Sequence, residues 1–238
     1  MKNIYNINLL FFFILFIGSP VITSAEIFVH DGIALNGEEI SIKAETKGRY
    51  FSKGGQMVNF FVNGKSIGNA LSGGDGFAYK SFTPRTSVPN MVVAKYGKDS
   101  DRGVIMSLKK GKRIVFVDVE GSLLSSPFSK EPIEKSRDVI KAIIKKYPVV
   151  YLHTGVIGIK SIREWLRKNK FPESAVLPWE MGSLFNDLNK KGIKIKAVIG
   201  SPAVIESAVD YKPVAFTFDE SDYAEKVKDW KEIGKKLK

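Results

Sequence analysis

The chain has no cysteine. Disulfide staples, thiolate metal sites, a cysteine nucleophile and a lipid-modified cysteine are all excluded. Histidine occurs only as His30 and His153, which rules out a cage built on several imidazoles. Acids are in deficit: 25 Asp and Glu stand against 37 Lys and Arg in 238 residues, a formal net charge of +12. There is no internal repeat and no low-complexity tract. What remains is a foldable globular composition, 44% hydrophobic and 26% charged, at a length that suits one large domain or two modest ones.

Lys2 is the only charged residue before Glu26, residues 9–18 are apolar, and Thr23-Ser24-Ala25 closes the segment with small residues. A charged start, a short apolar core and a small-residue end make a secretory signal. A membrane-spanning helix needs about 20 apolar residues, and Pro20, Thr23 and Ser24 interrupt this run. The expectation is cleavage after Ala25 and a periplasmic or secreted mature chain, held together by core packing alone. Its basic excess is what solvated lysine-rich helix faces produce; it also fits attraction to anionic lipids or cell-wall polymers, with peripheral membrane contact. Export and the lack of a recognition-helix or aromatic–basic motif argue against nucleic acid.

Residues 26–110 read as β structure. Short β-branched or aromatic runs at 26–30, 40–45, 58–62, 77–82, 91–96 and 103–108 alternate with turn chemistry at Asn36-Gly37, Lys53-Gly54-Gly55, Asn63-Gly64 and 73–76. Asn-Gly and Asp-Gly supply the positive φ angles that hairpins need. About seven short strands at this spacing predict a sandwich. The rhythm of 58–68, then Gly74-Asp75-Gly76-Phe77-Ala78, then 91–96 resembles a bacterial immunoglobulin-like domain. That resemblance implies an all-β fold and a surface on which a protein partner could dock; it implies no activity.

The charged, Gly-containing break Lys109–Arg113 is the expected domain boundary. Beyond it, Arg113–Asp118 is an apolar run, as a buried parallel strand requires. Ile133, Val139, Ile140, Ile143 and Ile144 form one face of an amphipathic helix that opens on Pro132. Further strands are expected at 149–153, near 175–177, and at 193–199 and 214–218. Helices are expected around 159–168, 181–191, 203–209 and 223–237. Alternation of this kind predicts a parallel sheet with helices on both faces. The expected fold is thus a two-domain chain, an immunoglobulin-like sandwich at 26–110 and an α/β Rossmann-like domain at 111–238.

Ligands of such sheets gather at the carboxyl ends of the strands. There stand Asp118-Val119-Glu120-Gly121-Ser122, Thr154-Gly155, Gly200-Ser201-Pro202, and Asp219. A carboxylate can attack phosphorus and form an aspartyl-phosphate, a second acid can protonate the leaving oxygen, and hydroxyls with backbone amides can hold phosphoryl oxygens. The arrangement resembles the haloacid dehalogenase superfamily, in a flavour close to the lipin-like phosphatidate phosphatases, over residues 112–220. The resemblance implies Asp118 as nucleophile, Glu120 as acid/base and Thr154 as phosphate anchor. It also implies substrate contacts from Ser122, Gly155, Gly200 and Ser201, and magnesium held by Asp118, Glu120 and Asp219.

The departures from the family pattern are specific. Glu120 stands where a second Asp is usual, and the extra methylene displaces the carboxylate by about 1 Å, enough to cost on the order of a hundredfold in rate. Ser201 stands where a metal-binding Asp is usual, which weakens a site that wants hard oxygen ligands, unless Asp219 or Glu206 replaces it. The stretch from Asp118 to Pro132 leaves no room for an inserted cap, which in the family implies an open site for bulky phosphorylated ligands such as a lipid or another envelope component. Two readings follow: a magnesium-dependent phosphatase of phosphatidate-like or other exposed phosphates, or a catalytically degenerate scaffold or binding protein of the envelope. The first requires Asp118 to share a solvent-reached pocket with the Thr154 hydroxyl.

Overall fold

A computed structural model describes residues 26–48, 51–126, 129–155 and 157–237. The signal expected at 1–25 lies outside the described residues. Strands β1 (Glu26–Val29), β2 (Gly32–Leu35), β3 (Ile40–Lys47), β4 (Met57–Val62), β5 (Lys65–Leu71), β6 (Phe77–Phe82), β7 (Pro89–Tyr96) and β8 (Asp99–Leu108) form two sheets, ordered β1-β3-β6 and β2-β8-β7-β4-β5. The β4–β5 hairpin turns on Asn63 and Gly64, whose φ angles of 49° and 79° are both positive, as a tight hairpin turn demands. Alternation sends Val58, Phe60 and Val62 inward against Ile42, Ala44 and Ala78 of the facing sheet.

The chain continues through β9 (Arg113–Asp118), α1 (Val119–Ser122), α2 (Ser136–Ile143), β10 (Val149–His153), α3 (Ile159–Lys168), β11 (Val176–Pro178), α4 (Ser183–Lys190), β12 (Lys194–Ile199), α5 (Pro202–Glu206), β13 (Val214–Thr217), β14 (Glu225–Lys226) and α6 (Trp230–Lys236). These six strands pair in parallel, in the order β11-β10-β9-β12-β13-β14. The helix expected over 223–237 starts later: 225–226 is an edge strand, and Asp229 caps α6 by accepting a hydrogen bond from the Glu232 N–H at 3.0 Å.

One face of this sheet presents Val115, Val117, Tyr151 and Ile199 to Ile140, Ile162, Leu166, Trp230 and Ile233 of α2, α3 and α6. The other face is not covered by helices alone. Ile114, Phe116, Val150, Leu152 and Val198 pack against Phe185 and Leu188 of α4 and Val204 and Ile205 of α5, and also against Ile33, Leu35, Val104, Met106 and Leu108 of β2 and β8. Along β8 the alternate residue Ile105 belongs instead to the core between the two antiparallel sheets. Strand β8 therefore carries one apolar face into each core, which is why residues 103–108 are buried without interruption.

The fold expected from the sequence is corrected here. The described residues form fourteen strands and six short α-helices, the longest of ten residues. There is no clear division into a free-standing sandwich and a Rossmann-like domain of the haloacid dehalogenase kind. The physical reason is the second face of β2 and β8. Its five apolar side chains must leave water, and they do so on the parallel sheet, where helices were expected.

A buried ion pair seals the same seam. Asp31, between β1 and β2, is met by Arg163 of α3 at 2.7 Å, and its carboxylate also accepts the Val104 N–H and the Val176 N–H, both at 2.7 Å. Arg163 donates to the Val29 carbonyl at 2.8 Å and lies over the Phe28 ring, 4.7 Å from its centroid.

Candidate functional site

Asp118 ends β9 and begins α1. Its backbone is extended, and its side chain caps the helix by accepting the Gly121 N–H on Oδ1 at 3.0 Å. Oδ2 accepts both the Ser201 N–H at 3.1 Å and the Ser201 hydroxyl at 2.8 Å. Two glycines make this closeness possible. A Cβ on Gly121 would sit 2.2 Å from Asp118 Oδ2, and one on Gly200 would sit 2.6 Å from Asp118 Cβ. With these neighbours the side chain is 0% exposed. Burial pushes the Asp118 carboxyl above its usual range, opposed by the hydrogen bonds from Gly121 and Ser201.

Glu120 faces the neighbouring strand. The β9–β10 register sets Leu152 opposite Asp118, so the two residues that follow on each strand meet. Glu120 Oε1 lies 2.9 Å from His153 Nδ1, and Oε2 accepts the Thr154 N–H at 3.1 Å. Burial alone would raise the Glu120 carboxyl, but the bonds from His153 and Thr154 outweigh it and hold it below its usual value.

The remaining expected site residues divide as follows. Ser122 is fully buried and donates back to the Asp118 carbonyl at 2.5 Å, a turn contact inside α1. Thr154 engages Glu120 through its backbone amide. Gly155 is exposed at the end of β10, in the left-handed region at φ 108°. Gly200 donates its N–H to the Phe216 carbonyl at 3.1 Å, and Ser201 is spent on Asp118. Asp219 and Glu206 are both exposed. Structure thus brings Asp118 together with Ser201, and Glu120 with His153 and Thr154, but does not assemble the whole set.

A magnesium site needs several oxygens free to point at one place. Among the described residues no group of three or more His, Asp or Glu side chains is arranged to hold a metal ion, and the oxygens of Asp118 and Glu120 already accept protein donors. The residues expected to bind magnesium do not fit it.

Sequence reasoning did not see the Glu120–His153 contact or the Asp31–Arg163 pair, whose members lie 132 residues apart. It also missed two cavities. One, of about 260 Å³, lies at the seam beside Asp31 and Arg163 and is lined by acids and bases together. The other, of about 240 Å³, lies between α1, α3 and the chain around Leu124 and Ser129. The only sequence signal for the second was the α3 spacing of Ile162 and Trp165, which reads equally as core.

No family model matches the chain, and no curated protein matches it. Among solved structures, the D0–D1 domain of intimin is 16% identical with a TM-score of 0.30, over 40% of this chain and 57% of that one. Domains 4 and 5 of the S-layer protein SbsC are 14% identical with a TM-score of 0.27, over 36% and 53%. The fibronectin(III)-like modules of CbhA from Clostridium thermocellum are 17% identical with a TM-score of 0.28, over 37% and 49%. The chain spans about half the length of each. Likeness this slight assigns neither a family nor an activity. The haloacid dehalogenase and phosphatase expectation finds no support here, and Asp118, expected as its nucleophile, is a buried helix cap.

Proposed function

We propose that this chain is a non-catalytic binding protein that works at the cell envelope or outside the cell. The observation that carries the reading is the state of the two carboxylates. A nucleophile needs a line of approach, and Asp118 is fully buried with both oxygens accepting hydrogen bonds from Gly121 and Ser201. A general acid needs a proton near neutral pH, and Glu120 is held ionised by His153 and Thr154. Each acid instead ties strand ends together, Asp118 joining β9 to the start of α5 and Glu120 joining α1 to β10. The finer placement is the periplasm, reached through a signal at 1–25 that is removed after Ala25.

The test is phosphate release by the mature protein with magnesium, from para-nitrophenyl phosphate, glucose phosphate and phosphatidate micelles. The expected rate is that of the Asp118→Asn variant, for every substrate. Magnesium-dependent turnover by the wild type that vanishes in Asp118→Asn would defeat the proposal. For the location, cell fractionation followed by N-terminal sequencing is expected to give a periplasmic protein beginning at Glu26. A cytoplasmic chain beginning at Met1 would contradict it.

A further inference from the structure

We infer that the cavity between α1 and α3 binds an amphiphilic anion, an alkyl chain that ends in one carboxylate or phosphate group. The inference deepens the binding-protein reading and rests on it. Val119, Leu124, Ile157, Ile162 and Trp165 line the cavity of about 240 Å³, and such walls favour a hydrocarbon over water. Lys130 and Lys168 line it as well, both exposed, together with Ser161. On α3, Ser161, Ile162, Trp165 and Lys168 fall on one side because they are spaced by three or four residues or adjoin one that is.

The sign of the charge decides the ligand's head group. Among the described residues no Asp or Glu lines this cavity, and neither lysine has a carboxylate within ion-pairing distance. The seam cavity makes the contrast. There Arg102, Lys160 and Arg163 are already paired with acids, and Asp31, Asp101, Glu164 and Glu173 line the same cavity, so its field is mixed in sign and repels an anion as well as attracting one. Two ammonium groups and a hydroxyl beside an apolar wall match an anionic head on an apolar tail, with charge-assisted hydrogen bonds at one end.

The wall is also set in advance. The Trp165 Nε1–H donates to the Ser129 carbonyl at 2.8 Å, and its ring stacks on Phe171 with centroids 5.4 Å apart. A side chain fixed on both sides loses little freedom when a ligand arrives.

The test is isothermal calorimetry on the mature protein below the micelle concentration of each probe, with tryptophan emission followed in parallel. Dodecanoate and dodecyl phosphate are expected to bind saturably, one per chain, with a shift in emission. Acetate, inorganic phosphate and dodecyltrimethylammonium are expected not to bind. Oleate and lysophosphatidate separate a free fatty acid from a lipid headgroup as the source: binding of either supports the site, the tighter one names the source, and binding of neither overturns it. The Lys130→Glu/Lys168→Glu variant is expected to weaken dodecanoate at least tenfold and leave dodecanol unchanged. Ser161→Trp, an exposed change at the same cavity, is expected to weaken both. Equal affinity for the cationic probe, or no change in the lysine variant, overturns the inference. Phosphate turnover in the earlier assay would instead strike the binding-protein reading and leave uptake of dodecanoate measurable, so the two failures are distinguishable.

Discussion

Arg163 on α3 closes on Asp31, between β1 and β2, at 2.7 Å, and the Asp31 side chain is only 1% exposed. A carboxylate from the antiparallel half is thus neutralised by a guanidinium from the parallel half. Removing one member of a buried pair strands the other. Arg163→Met is expected to cost about 3–5 kcal/mol by urea denaturation. A loss within the range of surface substitutions, about 0.5 kcal/mol, would contradict the pair's place at the seam.

The same carboxylate sets a pH dependence. Burial, against the pull of Arg163 and two backbone N–H groups, raises Asp31 to about 6. A raised acid binds its proton in the folded state before it does so unfolded, so its contribution grows as pH falls from above 6 towards 4. The span is about 3 kcal/mol from a shift of two units. His30 works in the opposite direction: burial and the nearby Lys43 lower it to about 4, so stability is lost as pH falls from 6.5 to 4. The two oppose each other in the wild type. Asp31→Asn is expected to expose the His30 slope, with stability falling on acidification through that window in urea titrations. A pH-independent variant would remove one of the two assignments.

Gly121 admits no side chain because a Cβ there meets Asp118 Oδ2 at 2.2 Å and the Ser201 nitrogen at 2.7 Å. Gly121→Ala must push apart the cap and the β12–α5 turn. A loss of about 1–3 kcal/mol is expected, read as a drop in melting temperature. Ser201→Ala, which deletes one hydrogen bond to a buried carboxylate, is expected to cost about 1.5–3 kcal/mol with no steric term.

Met106 on β8 is 4% exposed and faces the parallel sheet. If the two halves share one core, Met106→Ala is expected to lower the stability of both together, by about 2–5 kcal/mol. Far-ultraviolet dichroism and the emission of Trp230, on the far side of the parallel sheet, should then report one coincident transition. Two separated transitions would mean that the halves unfold alone.

Much of the local structure was legible along the chain. The Asn63-Gly64 hairpin follows from turn chemistry, the buried strand at 113–118 from an unbroken apolar run, and α2 from Ile140 and Ile143 on one face. The candidate site was legible only as a set of residue types. Asp118 reads as a nucleophile because a strand-ending acid can be one, yet the same position is where a helix cap belongs, and Asp118-x-x-Gly121 fits both. What shuts the Asp118 carboxylate away is Ser201, 83 residues further on.

From the amino-acid order alone, then, came the strands, the turns, the amphipathic helices and the positions of the acids, because each depends on side-chain period and backbone preference within a few residues. Only the tertiary structure decided that β8 serves two cores, that Asp31 finds Arg163, and that Asp118 is shut away from water. Burial and hydrogen-bond partnership depend on groups brought together from distant parts of the chain, and the reactivity of a carboxylate depends on those partners more than on its own neighbours in sequence.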